Sequence, residues 1–307
     1  MINDESILSS GLRPMTYWAM QVEDKIAQWL SGKPDGRSTG FKTLDAYFRL
    51  IDTELTLIAA RPSMGKTALA MQVAENVARD LQREGDNGCV AVFSAEMSGT
   101  ELTIRMAGAL SGVNTHKMRN NQASKEEIGR FAEANRTLRL LPIWIDDASG
   151  PTTAGMLAQL SQLMETNPVR LMIFDFVELG GDLAQKEDIR VSNILRNLKG
   201  IAKTLKIPVV GLSQLSREVE TRATKMPVLS DLRYSGMAEQ IADKVVFIMR
   251  PEYYVARADR VDVPEEDKKG VAYVMIAKTR NGPVGMVKMA FISERMKFAD
   301  LSQEVSK

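Results

Sequence analysis

The chain has 307 residues, of which 44% are hydrophobic and 26% are charged, as in an ordinary soluble globular protein. Its 40 basic and 39 acidic residues give a net charge of +1, which excludes a protein that coats nucleic acid with its whole surface but allows a few local basic contacts. Cys89 is the only cysteine and His116 the only histidine, which excludes an internal disulfide, His-rich metal sites and most Ser–His or Cys–His nucleophile systems.

Residues 1–36 are predicted to form an N-terminal arm and a linker helix, followed by a larger domain over residues 37–307. The N-terminus lacks the regions of a secretory signal, and no apolar run reaches the roughly 20 residues of a membrane span, so we expect a cytoplasmic protein with no membrane partner. Apolar residues, two tryptophans among them, recur at helical spacing from Met15 to Leu30. This stripe suits either packing in a core or docking on a neighbouring subunit.

Strand-like and helix-like segments alternate along the rest of the chain. Apolar, often β-branched runs predict strands at 54–60, 89–94, 142–146, 169–175, 207–212, 244–249 and 271–277. Helical patterns lie at 67–84, 100–110, 124–138, 153–166 and 190–206. The alternation predicts an α/β fold with a mostly parallel central sheet flanked by helices, and a late hairpin around residues 281–283 at one edge. Loops are predicted for the polar stretches 182–190, 216–229 and 256–270.

The predicted strand at 54–60 leads through a tight polar turn into the predicted helix that begins at residue 67. Gly65, Lys66 and Thr67 at the start of the helix are typical of a phosphate-binding P-loop. There Gly65 lets the backbone approach an oxygen, Lys66 reaches the terminal phosphates, and the Thr67 hydroxyl can ligate Mg²⁺. Ala60 stands where the usual pattern has its first Gly, and a chance GKT tripeptide is the alternative. The predicted nucleotide-binding residues are Ala60, Arg61, Pro62, Ser63, Met64, Gly65, Lys66 and Thr67.

Three polar side chains follow predicted strands and are expected at the crevice where parallel sheets bind ligands. Asp175 would hold Mg²⁺ opposite Thr67, or else cap a turn. Glu96 would polarise the water that attacks the γ-phosphate, or else is an ordinary surface residue. Gln214 would sense that phosphate through its amide, or else is a turn amide. With the P-loop, the three residues predict that a nucleotide is bound and hydrolysed.

The chain resembles the RecA-like ATPase domain of DnaB-type replicative helicases from about Ser38 to Phe291. An entry motif lies at 38–45, a Walker A variant with Ala in place of the first Gly at 59–67, and the segment of the catalytic Glu at 93–97. The Walker B strand lies at 173–176, a sensor motif at 213–217, a DNA-contacting loop at 229–240, and a segment that reaches a neighbouring subunit's ATP at 278–283. Each motif alone gives moderate support for the resemblance, but seven motifs in the family's order make a chance resemblance negligible.

The resemblance implies a P-loop NTPase that binds ATP and Mg²⁺ and unwinds DNA. It implies a homo-hexameric ring with single-stranded DNA in its channel, 5′ to 3′ travel, and forked DNA, a helicase loader and a primase as partners. Lys278 and Arg280 would act in trans on a neighbour's γ-phosphate, with Arg280 as the arginine finger. The catalytic residues would be Glu96, Lys66, Gln214, Lys278 and Arg280. The DNA-binding residues would be Arg233, Tyr234, Ser235 and Gly236.

The sequence also departs from the family. Tyr234 stands where Glu is common, residues 176–179 differ from the usual sequence after Walker B, and the family's N-terminal domain is lacking, so that the helix at 15–30 would be its linker helix. The leading hypothesis is an ATP-driven translocase that unwinds duplex DNA. A RecA-like recombinase or strand-exchange ATPase shares the fold but forms open filaments. A non-hydrolysing regulatory ring is a third hypothesis, which the joint presence of Glu96, Asp175, Lys66 and Arg280 disfavours.

Overall fold

The structure, a computed structural model, describes residues 12–233 and 235–301, without the side chain of Ser235. It divides into two units, Met1–Arg37 and Ser38–Lys307. In the first unit, the predicted helix is present as α1 (Met15–Leu30). None of its residues is buried, and the side chains of its apolar stripe are exposed.

The second unit is built on one sheet. Its strands are β1 (Leu55–Ala60), β2 (Cys89–Ser94), β3 (Ile143–Asp146), β4 (Val169–Asp175), β5 (Val209–Gln214), β6 (Lys244–Met249), β7 (Val271–Thr279), β8 (Gly285–Ile292) and β9 (Lys297–Asp300). Within the described residues these nine strands lie in the order β3-β2-β4-β5-β1-β6-β7-β8-β9. The pairs from β3 to β6 are parallel, and those from β6 to β9 are antiparallel. The predicted parallel sheet and its added edge hairpin are therefore confirmed.

The helices of this unit are α2 (Lys42–Asp45), α3 (Lys66–Glu84), α4 (Gly99–Ser111), α5 (Thr115–Arg119), α6 (Lys125–Leu138), α7 (Thr153–Met164), α8 (Glu187–Leu205), α9 (Ser235–Ile241) and α10 (Pro251–Val255). The ends of several of these helices are set by capping side chains or by a glycine. The Ser98 and Ser124 side chains cap α4 and α6 by accepting from backbone N–H groups three residues on. Gly85 ends α3 with a φ of 67°, a conformation that glycine adopts readily. No described helix combines the length and apolar character that crossing a membrane requires.

The core lies against the central strands. Every residue of β1, β2 and β6 is buried, as expected for strands that are covered on both faces. Because the parallel strands run the same way, their carboxyl ends meet at one edge of the sheet. That edge carries the ends of β1, β2, β4, β5 and β6, and it positions the site described below.

The structure differs from the sequence prediction in its short elements. α2, α5, α9, α10 and β9 were not predicted, because segments of four to seven residues show too little periodicity to be recognised. The loop predicted at 182–190 is also partly wrong, since α8 already begins at Glu187. Glu187 and Asp188 lie in the first turn of α8, where acidic side chains favour a helix start. Short 3₁₀ turns interrupt the other two predicted loops, at Arg217–Thr221 and Glu265–Lys268.

Candidate active site

The loop between β1 and α3 has the backbone shape of an anion cradle. Ser63 and Gly65 both have positive φ, 66° and 93°, which turns the chain sharply before the first N–H groups of α3. A Cβ on Gly65 would lie 3.0 Å from the Phe298 ring and 3.1 Å from the Phe291 ring. Gly65 is therefore required both for its conformation and for its close approach to an aromatic pair supplied by β8 and β9.

A cavity of about 600 Å³ opens beside this loop. Most of the predicted site residues line it, including the P-loop from Ala60 to Ser63 and from Gly65 to Thr67, together with Glu96 and Gln214. Met64 does not line it, because its side chain is buried in the core. Residues that were not predicted also line the cavity: Ala68, Met97, Arg105, Phe176, Arg250, Tyr253, Phe291, Ser293 and Met296.

Thr67 lines the cavity, and the buried Asp175, which does not line it, lies directly against Thr67. Thr67 Oγ1 donates to Asp175 Oδ2 at 2.6 Å, whereas the buried Asp175 Oδ1 has no hydrogen-bond partner in the described structure. Burial raises the pKa of Asp175, opposed by the Lys66 charge and the Thr67 hydrogen bond. Two hard oxygen ligands side by side, one of them unsatisfied, fit a Mg²⁺ ion that completes its shell with phosphate and water oxygens.

Lys66 is surrounded by carboxylates. Burial lowers the pKa of its ammonium group, and the charges of Asp175, Glu178 and Glu96 oppose that effect. Lys66 Nζ also lies 4.4 Å from the centroid of the Phe176 ring, which is within the range of a cation–π contact. A desolvated cation at the start of α3 suits the binding of an anion.

Glu178 was not predicted as a site residue, although residues 176–179 depart from the usual family sequence. Its side chain is buried, and Oε1 accepts from Ser213 Oγ at 2.6 Å and from Gln214 N at 2.9 Å. Oε2 is buried and has no hydrogen-bond partner in the part of the chain that the structure describes. Glu178 therefore ties the turn after β4 to the end of β5, where Gln214 lies.

Arg250 and Phe291 also line the cavity and lie against each other. The Arg250 guanidinium carbon lies 3.7 Å from the centroid of the Phe291 ring. Its Nη1 donates to Ser63 O and its Nη2 donates to Ser293 Oγ, both at 2.9 Å. Burial lowers the pKa of Arg250. Arg250 follows β6 as Asp175 ends β4, so its position after a predicted strand was the signal that could have identified it.

Lys278 and Arg280 lie on the opposite side of the sheet from the P-loop, where the amino ends of the parallel strands meet. In the antiparallel pairing of β6 with β7, Lys278 and Thr279 lie opposite Val245 and Lys244 at the start of β6. The end of β6 instead pairs with Ala60 at the P-loop. Four residues at about 3.3 Å each place the two edges about 13 Å apart along the strand. The two cations therefore do not share the cavity of their own chain.

The residues predicted to bind DNA lie around the start of α9. Arg233 is half exposed, and its Nη1 lies 3.9 Å from Glu187 Oε1 at the start of α8. Gly236 is exposed. Tyr234 and the side chain of Ser235 lie outside the described residues. Arg233 and Glu187 thus bring together the loop before α9 and the loop before α8.

Two curated proteins are similar to most of this chain. The chain is 38% identical over 292 residues to the replicative DNA helicase DnaC of Bacillus subtilis (strain 168), and 37% identical over 276 residues to the replicative DNA helicase DnaB of Geobacillus stearothermophilus. The matches cover 92% and 89% of this chain, but 61% and 58% of those proteins. The chain therefore spans less than two-thirds of the length of these relatives.

Two solved structures share its fold. The ATPase domain of G40P has a TM-score of 0.83 and 32% identity, covering 94% of this chain and 99% of that one. A DnaB-like replicative helicase, described with its interactions with primase, has a TM-score of 0.80 and 32% identity, covering 91% of this chain and 66% of that one. Both confirm the predicted RecA-like α/β fold. A family model described as the DnaB-like helicase C-terminal domain matches residues 36–300. The chain belongs to the DnaB-like helicase C-terminal domain family.

Proposed function

We propose that this chain is the ATP-hydrolysing motor of a replicative DNA helicase that moves along single-stranded DNA and separates the strands of a fork. The observation that carries the proposal is the division of the site between two edges of the sheet. One edge holds a P-loop cavity with Lys66, Thr67, Asp175 and Glu96, and the other holds the basic pair that its own cavity cannot use. A site divided in this way is complete only where two subunits meet.

The cavity is proposed to bind ATP with Mg²⁺. The phosphates would lie on the P-loop residues and on Lys66, at the N-terminal end of α3. Thr67 and Asp175 would hold Mg²⁺, which would neutralise charge on the β- and γ-phosphates. Arg250, Tyr253 and Phe291 also line the cavity, and their flat side chains suit stacking of a base.

Hydrolysis is assigned to the polar residues at the strand ends. Glu96 would orient and polarise the attacking water, and Gln214 would contact the γ-phosphate and respond to its loss. Because Glu178 holds the backbone N–H of Gln214, a shift of Gln214 would be transmitted to the turn after Walker B. Lys278 and Arg280 would stabilise the transferred phosphoryl group of a neighbouring subunit, where an arginine finger contributes about 10³- to 10⁵-fold to turnover.

The assembly is proposed to be a homo-hexameric ring that carries DNA in its channel. Arg233, Tyr234, Ser235 and Gly236 would contact phosphates, which carry no sequence information. Residues 1–36 would form an arm and a linker that reaches the next subunit, and residues 37–307 the ATPase domain. A primase is a proposed protein partner, since a solved relative is described with its interactions with primase. A helicase loader is proposed as well, from the resemblance to DnaB-type helicases. Travel is proposed to run from 5′ to 3′.

The test is ATP turnover and fork unwinding by the purified 307-residue chain over a range of subunit concentrations, with and without single-stranded DNA and a loader. Stimulation of turnover by single-stranded DNA together with unwinding is the expected result. Absence of both at every concentration would overturn the proposal. Strand exchange on helical filaments without unwinding would instead favour the recombinase hypothesis, which no feature of the described structure favours.

A further inference from the structure

The two cations assigned to a neighbouring subunit are already hydrogen-bonded within their own chain. Arg280 Nη2 donates to Gln240 O at 2.8 Å, and Lys278 Nζ donates to Ala242 O at 2.6 Å and to Glu239 O. The carbonyls of Glu239 and Gln240 lie in the last turn of α9, and that of Ala242 directly follows the helix. Carbonyls at the end of a helix have no partner within the helix and attract cations. The basic pair therefore caps α9.

Asp243 anchors the same pair to the sheet. It is buried, and its Oδ1 lies 3.1 Å from Arg280 Nε. Its Oδ2 accepts from Leu55 N at 2.8 Å and from Lys199 Nζ at 2.6 Å. Because Oδ2 is fixed to the start of β1, the carboxylate presents Oδ1 to Arg280 in a set orientation. Arg280 is therefore held between a fixed carboxylate and the carbonyls of a short helix.

The other end of that helix carries residues that the proposed function assigns to DNA. Arg233 precedes α9, and Gly236 lies in its first turn. At about 1.5 Å per residue, the helix joins the two ends over about 10 Å. Burial and the nearby Arg280 charge lower the pKa of Lys278, so an anion placed between the two cations would relieve their repulsion. One short helix thus lies between a DNA contact and a pair of cations suited to a phosphate.

We propose that Asp243 is a positioning residue for Arg280 and that α9 couples DNA contact to the placement of Arg280 and Lys278 at the neighbouring subunit's nucleotide. The proposal rests on the proposed function, in which both groups have their roles. When DNA displaces the start of α9, the carbonyls at its end move relative to Asp243. Asp243 keeps its contact with the Arg280 guanidinium, while the hydrogen bond from Arg280 to Gln240 O lengthens or breaks. The guanidinium is then free to turn from its own chain towards the neighbouring subunit's nucleotide.

The test compares Asp243→Asn with Arg280→Ala in the 307-residue chain at saturating single-stranded DNA. Asp243→Asn keeps the size of the side chain but removes the charge that orients Arg280. We expect turnover to fall roughly 10- to 100-fold, as for misplaced catalytic groups. The KM for ATP should be unchanged, because the proposed role of Arg280 is to stabilise the transferred phosphoryl group in the transition state rather than to bind ATP in the ground state. In the Arg280→Ala background, Asp243→Asn is expected to cause no further loss.

A matched control separates positioning from stability. Lys199→Met removes the other ion pair of Asp243 but leaves Arg280 untouched, and it is expected to retain stimulation by DNA. If Asp243→Asn lowers turnover by the same factor with and without Arg280, its role is structural and the proposal is wrong. If Arg280→Ala loses activity and Asp243→Asn does not, only this proposal is wrong. Full activity of Arg280→Ala would overturn the trans role as well.

A second measurement does not require Asp243→Asn to fold. Amide hydrogen exchange should be faster at residues 239–243 in Arg280→Ala than in the unmodified chain, because the end of α9 loses its cap. Single-stranded DNA added to the unmodified chain should change exchange at 235–243 and at 278–280 together. Arg136→Ala, on an exposed helix surface, is the control expected to leave both segments unchanged. Unaltered exchange at 239–243 in Arg280→Ala would overturn the proposal.

Discussion

Thr67 and Asp175 are 108 residues apart in the sequence, yet Thr67 Oγ1 donates to Asp175 Oδ2 at 2.6 Å. The contact is made because β1 and β4 end at the same edge of the sheet, with only β5 between them. Asp175 Oδ1 has no hydrogen-bond partner among the described residues. Since no described cluster of three or more His, Cys, Asp or Glu side chains could hold a metal, a Mg²⁺ ion here would take most of its ligands from phosphate and water.

Asp175→Asn is expected to abolish Mg²⁺-dependent turnover. The amide keeps the hydrogen bond from Thr67 but no longer provides a charged ligand, and loss of several kcal/mol of stabilisation corresponds to about 100-fold or more in rate. Steady-state ATP turnover measured against Mg²⁺ concentration tests this. Asp146→Asn, at the end of β3 and outside the P-loop cavity, is the control. Equal Mg²⁺ dependence of Asp175→Asn and the unmodified chain would contradict the assignment.

Lys66→Ala is expected to lose nucleotide hydrolysis while the fold remains intact. The ammonium group is buried against carboxylates and the Phe176 ring, and removing it leaves the phosphates without their nearest cation. ATP turnover should fall by about 100-fold or more, whereas the circular dichroism spectrum should not change. Lys125→Ala, at an exposed helix start, should behave like the unmodified chain. Normal turnover in Lys66→Ala would refute the P-loop assignment.

Glu178→Ala is expected to release Gln214, the proposed sensor residue, from the turn after β4. The substitution removes the acceptor of Ser213 Oγ and Gln214 N, and at about 1 to 3 kcal/mol for each buried donor left unpaired, the free energy of unfolding should fall by about 3 kcal/mol. Glu178→Gln retains a carbonyl acceptor of the same reach and should preserve most of the turnover and the stability. Thermal unfolding and ATP turnover of the two variants provide the comparison. Equal behaviour of Ala and Gln at this position would show that the contact is dispensable.

The fold and half of the site could be predicted from the sequence because the patterns that indicate them lie within contiguous segments of the chain. The P-loop is a continuous strand, turn and helix, and Asp175 and Gln214 end apolar runs that can be recognised from the sequence alone. Arg250 directly follows a predicted strand and could have been identified in the same way, but Phe291 and Glu178 could not. Phe291 and Phe298 contact Gly65 only because β7, β8 and β9 extend the sheet as antiparallel strands beyond β6. The burial of Glu178 depends on its contact with β5. Such contacts have no spacing in the sequence that would reveal them.

Cys89 is expected to report unfolding. Burial raises the pKa of its thiol to about 11, an effect that the Arg170 charge partly offsets. At pH 8 the thiolate is therefore a minor species of about one part in a thousand, and only the thiolate reacts. A chromogenic disulfide reagent should label no thiol in the native chain at pH 8 and one thiol after denaturation. Cys89→Ser should give no signal in either state, and fast labelling of the native chain would contradict the burial.

Arg280→Ala subunits are expected to poison mixed assemblies with the unmodified chain. Arg280 is held at Asp243 and Gln240, at the end of the sheet away from its own P-loop, and under the proposed function each guanidinium serves a neighbour's nucleotide. ATP turnover is measured against the fraction of mutant subunits at constant total concentration with single-stranded DNA. Because coordinated hydrolysis needs successive complete interfaces, activity should fall more steeply than the unmodified fraction. Arg136→Ala subunits, mixed in the same way, should leave turnover unchanged. Strict proportionality for Arg280→Ala would contradict a coordinated role in trans.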